Sequence, residues 1–82
     1  MSKLEIIAGI SKDAVKLEDI NEEQLEVLCH VLEAIRKSGI CNMWGAAEPL
    51  RVGTGISIEL SEAVLLYWIR HYDELNKKYN WQ

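Results

Sequence analysis

Cys29, His30, Cys41 and His71 are the residues of this 82-residue chain with the chemistry of soft metal ligands or of a nucleophile and its base. Structural zinc sites repeat such residues at short fixed spacings, and no CxxC or HxxxH pattern occurs. Cys29 and His30 are neighbours, and successive residues on a helix point about 100° apart, so the two cannot face one ion. Cys29 reads instead as a small apolar core residue. His30 reads as part of a polar helix face with Glu26, Glu33 and Lys37. A Cys41–His71 pair has no third polar group in a recognisable motif to orient it. Gly53-Thr54-Gly55 stands before a helix start as an anion cradle would, but it lacks the third glycine, the lysine and the preceding strand. A hinge between helices explains both glycines through their φ freedom. The residues therefore point to no enzyme, no metal and no cofactor.

Binding chemistry is better represented. The segment 38–50 gathers Met43, Trp44, the small residues Gly45, Ala46 and Ala47, and the chain's single proline, Pro49. Trp, Tyr, Met and Arg are the residues that interface cores favour. Tyr67 and Tyr72 lie five positions apart, about 140° around a helix, so one of these rings is left for the surface or a partner. Met43, Trp44, Glu48, Arg51, Tyr67 and Arg70 are accordingly the candidate partner-binding residues, while Trp68 and Tyr72 are expected to fill the core. The pairing of helices at 43–52 and 57–78 also admits a helix-turn-helix, the alternative being a dimeric DNA-binding regulator. Its recognition helix would open Ile58-Glu59-Leu60-Ser61-Glu62, with two carboxylates where phosphates lie. Arg51 and Arg70 are not accompanied by a basic stripe.

Charge supports the protein-binding reading. Residues 1–33 carry eight acids against three lysines, and residues 34–82 carry five acids against six Lys or Arg. Broad contact with a phosphate backbone needs clustered positive charge, which an acidic front half opposes. Apolar residues make up 49% of the chain, generous for a single domain over residues 1–82 whose core is marginal at this length. Some of that apolar area is thus available to a partner, including a second copy through the 57–78 helix. Two cysteines make no disulfide framework, no signal-peptide pattern is visible, and no apolar run approaches the roughly 20 residues of a membrane span. The expectation is a soluble protein of a reducing cytoplasm.

The elements that must position these residues are helical. Ser2 and Glu5 fit a capping box, with Leu4, Ile7 and Ala8 as a short stripe closed by Gly9 at the left-handed C′ position; a strand through Leu4–Ile7 is the competing reading. Lys12–Glu18 offers one or two turns or a linker. Asn21 and Gln24 form a clear capping box, Ile20 and Leu25 a hydrophobic staple, and Leu25, Leu28, Leu32 and Ile35 an amphipathic stripe, which predicts a helix over 22–38 ended by Gly39. Glu33 and Lys37 are spaced as an i,i+4 ion pair. Asn42 caps a helix over 43–52 that must bend or restart at Pro49, and Gly53-Thr54-Gly55 ends it. Ser57 caps a long helix to residue 78 carrying Ile58, Ser61, Leu65, Trp68, Tyr72, Leu75 and Tyr79. The predicted fold is all-α, a small bundle of three main helices with a short N-terminal helical or irregular arm.

Ser38-Gly39, Asn42-Met43-Trp44-Gly45-Ala46-Ala47, Gly55-Ile56-Ser57 and Glu62 to Ile69 together resemble small uncharacterised bacteriophage and prophage proteins. Those share an Asn-Met-aromatic-Gly-Ala segment before a long C-terminal helix. The resemblance spans the C-terminal half; Glu48-Pro49 and Arg51 to Thr54 depart from the pattern. It implies a phage setting, a compact helical fold and action in the cytoplasm of a bacterial host, and it brings no catalytic residues. The function expected is protein binding that modulates a host or defence-system protein.

Overall fold

The computed structural model describes residues 3–39 and 45–81. Its elements are α1 (Lys3–Ala8), a 3-10 turn (Leu17–Asp19), α2 (Glu22–Ser38), α3 (Ala47–Thr54), α4 (Ile58–Arg70) and α5 (Tyr72–Tyr79). The chain is all-helical over these residues, with no strand among them. No helix among them is long and apolar enough to cross a membrane.

Local chemistry sets α2 as its sequence predicts. Gln24 N donates to Asn21 Oδ1 (2.8 Å) and Asn21 N donates to Gln24 Oε1 (3.0 Å), closing the capping box. Gly39 ends the helix at φ 74°, ψ 10°, a left-handed position that costs a residue without Cβ little. Val27, Leu28, Cys29 and Leu32 face the core.

Four expectations are corrected. The short N-terminal segment is a helix, but it buries Ile6 rather than the Leu4, Ile7, Ala8 stripe, and Leu4 stays 79% exposed. Six residues are too few for periodicity to choose a face, so docking on α2 chooses it. Gly9 N caps Glu5 O and Ile6 O (3.1 and 3.2 Å) without the left-handed φ. Pro49 does not bend α3, because it is the third residue of the helix, where its missing N–H would have had no partner. Gly53 and Thr54 continue α3, Thr54 Oγ1 donating to Leu50 O at 2.6 Å, and only Gly55 (φ 77°) breaks the path. The proposed cap Asn42 lies outside the described residues.

The long C-terminal helix is two helices. His71 has φ −109° and ψ 15°, and its Nδ1 lies 2.9 Å from Tyr67 O. The His71 N–H keeps its own bond to Tyr67 O (3.0 Å), so the interruption lies in the His71 torsions and not in a lost bond at that residue. Past His71, α5 carries Leu75 into the core and sets Tyr79 and Trp81 against His30 of α2.

α4 occupies the centre, packed by α2, α3, α5 and the 3-10 turn. Leu60, Ser61, Val64, Leu65 and Trp68 are buried on it, and Leu28, Leu32, Leu50 and Ile56 meet them in one cluster. Ser57 caps α4, with Leu60 N donating to its Oγ (3.0 Å), and that hydroxyl donates to Ala14 O (2.7 Å). One side chain thus starts the central helix and ties down the segment ahead of α2.

Candidate functional site

A recess of about 180 Å³ opens between α2 and the α4–α5 corner. Its α2 wall is Glu22, Leu25, Glu26 and Cys29, residues spaced one and two turns apart and therefore on one face. Tyr67 of α4 and Leu75 of α5 close the opposite side, and Lys78 of α5 stands at the edge. Leu25 and Tyr67 are half-buried, whereas Cys29 (1% exposed) and Leu75 are buried.

The base of the recess carries no charge. Burial, with the Glu26 carboxylate nearby, pushes the Cys29 thiol up to about 12. A thiol held so far above neutral pH supplies almost no thiolate and is not a nucleophile. Burial likewise raises the Tyr67 phenol, joined by Cys29 and the Glu74 and Glu22 carboxylates against Lys78. The Tyr67 ring stacks on His71 with centroids 4.3 Å apart, which holds it at the corner.

The rim is charged. Lys78 Nζ reaches Glu26 Oε1 at 3.0 Å, joining α5 to α2, and that hydrogen bond holds the Glu26 carboxyl below its usual value. Beyond this bridge the C-terminal aromatics cover α2. His30 meets Tyr79 and Trp81 edge-on, with centroids 4.5 and 5.5 Å away, and Tyr79 stacks on Trp81. This corrects the solvent-facing polar role expected for His30. Burial and the Lys3 charge lower its pKa, against Glu26. Glu33 is corrected as well, being 3% exposed. It accepts from Arg36 Nη2 (2.6 Å) and from the Tyr72 hydroxyl (3.0 Å), while Lys37 stands 3.9 Å off. The expected Glu33–Lys37 pair is thus secondary to a bond with Arg36, whose guanidinium also lies over the Tyr72 ring.

Of the candidate partner contacts among the described residues, Tyr67 alone lines the recess. Arg70 is exposed on α4. Glu48 and Arg51 bond to each other across one turn of α3, Arg51 Nε donating to Glu48 Oε2 at 3.2 Å. They stand apart from the recess. Met43 and Trp44, like Cys41, lie outside the described residues. Sequence reasoning places Glu26 on a polar helix face and Leu25 in a staple, and so misses their convergence with Tyr67, Leu75 and Lys78. The signal available was the Glu22, Leu25, Glu26, Cys29 stripe, which leaves an apolar strip bordered by acids.

Among the described residues no group of three or more His, Cys, Asp or Glu could hold a metal ion. No family model, curated protein or solved structure matches this chain.

Proposed function

We propose that this chain is a protein-binding module. One observation supports the reading: a recess walled by Leu25, Leu75 and the Tyr67 ring and bordered by Glu22, Glu26 and Lys78, on a helix whose first turn is acidic. Apolar walls inside a charged border are the arrangement of an interface core and its rim. At about 180 Å³ the recess is smaller than the roughly 300–1,000 Å³ typical of small-molecule pockets. The likeness of the C-terminal half to small phage and prophage proteins supplies the setting, a phage-type accessory acting in the cytoplasm on a host or defence-system protein.

A DNA-binding role draws less support. The helix that would enter a groove is α4, which is packed by α2, α3 and α5, and the exposed residues of its first two turns include Glu59 and Glu62. A homodimer through α4 would rest on Ile58 and Leu66, the only large apolar side chains exposed on that helix. The apolar stripes that suggested such a dimer are consumed by the core.

Affinity capture from a bacterial lysate at low and high salt, alongside the Glu22→Lys, Glu26→Lys double variant, tests the reading. A protein retained by the wild-type chain and lost from the charge-reversed one is expected. A wild-type chain that retains nothing above a bare resin at either salt would sink it.

A further inference from the structure

The recess has a size, a floor and a charge that together restrict its occupant. A cavity of about 150 Å³ lined by aliphatic and aromatic residues accepts a benzene ring, and this one measures about 180 Å³. It therefore has room for one large apolar side chain and little more. Leu25, Leu75 and the Tyr67 ring supply its walls, and the neutral Cys29 thiol lies at its base.

Two carboxylates border it, Glu22 and Glu26, both on α2. Among the described residues Lys78 is the one cation on the lining, and it is already bonded to Glu26. Glu22 forms no ion pair among the described residues. Both members of the Lys78–Glu26 pair are exposed, 60% and 44% by side chain. Such solvated pairs contribute little and exchange readily. An arriving cation thus finds one unpaired carboxylate on the lining and a second, Glu26, held only by an exchangeable lysine. An arriving anion finds repulsion and a single lysine in use.

We infer that the recess seats a leucine- or phenylalanine-sized side chain from a basic segment of a partner protein, whose neighbouring lysine or arginine lies on the Glu22 and Glu26 rim. This rests on the protein-binding reading and names the chemistry of the partner. The basic residue replaces Lys78 on Glu26 or pairs with Glu22, and the apolar side chain displaces water from Leu25, Tyr67 and Leu75. Opposite charges across the rim speed encounter and set orientation, and the apolar anchor provides residence.

Isotope-labelled protein titrated with two helical peptides, one of leucine and lysine and one of leucine and glutamate, provides the test. The leucine–lysine peptide should shift the amides of Leu25, Cys29, Tyr67 and Leu75, and the leucine–glutamate peptide should not. Glu22→Gln with Glu26→Gln should weaken binding roughly tenfold. Lys78→Gln, which removes the competing cation, should tighten it several-fold, a gain that misfolding cannot imitate. Shifts clustered on another face, equal binding of both peptides, or affinity unchanged by all three substitutions overturns the inference. Concentration-dependent shifts at the same amides without peptide overturn it in favour of a second copy of the chain. Protein binding survives if the chain retains a lysate protein that these variants retain equally; it falls with the inference if nothing is retained at all.

Discussion

Glu33 is the residue whose environment departs furthest from its apparent place in the chain. Burial alone would raise its carboxyl, but hydrogen bonds from Arg36 and Tyr72 and the charges of Arg36 and Lys37 outweigh it and hold the pKa low. A carboxylate with a folded pKa below its unfolded value contributes stability above the unfolded pKa, and that contribution is lost as pH falls through the folded one. His30 acts in a higher window. Its folded pKa is lowered from 6.5, so the folded state resists protonation and stability declines as pH drops below about 6.5. Denaturation midpoints measured from pH 7.5 downward should therefore fall in two stages, the first absent in His30→Phe and the second reduced in Glu33→Gln. Glu33→Gln should also cost about 1–3 kcal/mol at pH 7, because Arg36 loses its charged acceptor. Cys29 makes a kinetic prediction. In a Cys41→Ser background its thiol should react with a disulfide reagent only at the rate of local or global opening, reaching full speed in denaturant.

Helix ends show what local chemistry commands and where it stops. Asn21 and Ser57 are both legible N-caps, since a short polar side chain before an amphipathic run can satisfy an orphan N–H with nothing but neighbours. Their worth should differ. Asn21→Ala removes a cap and should cost about 1 kcal/mol. Ser57→Ala removes a cap and the bond to Ala14 O together, and should cost about 2 kcal/mol by urea denaturation. Ser57→Asp keeps an acceptor for Leu60 N but no donor for Ala14 O, so it should recover only part of that loss. The break at His71 was not legible, because apolar spacing continues straight through it. It resides in the backbone torsions of one residue, His71, which side-chain periodicity does not report.

At the scale of the molecule, the central helix carries the largest fully buried side chain among the described residues. Trp68 is fully buried on the central helix, with its ring 5.5 Å from that of Tyr72. Trp68→Ala should cost about 3–5 kcal/mol, a large share of the stability of a domain this small, and should leave much of the chain unfolded in a thermal melt. Trp68→Phe should cost clearly less. It forfeits volume, but it also removes an indole N–H that finds no acceptor among the described residues. The apolar content read as a surplus is largely spent inside, with Leu4 and Val52 as the most exposed large apolar side chains among the described residues.

The sequence by itself determined that the chain is helical, where α2 begins and ends, that Ser57 starts α4, and that Cys29 and Trp68 are core residues. Each of these follows from periodicity or from a cap within four residues, interactions that need no knowledge of distant chain. Only the tertiary structure decided the face of α1, the partner of Glu33, the covering of His30 and the recess around Tyr67. Those depend on which segments meet across the chain, α1 on α2 and, over 39 and 52 residues, Tyr72 on Glu33 and Lys78 on Glu26. A helix's own pattern marks a polar stripe without revealing what will lie upon it. The acidic border of the recess is therefore written in α2, and the recess itself exists only because Tyr67, Leu75 and Lys78 come against that stripe.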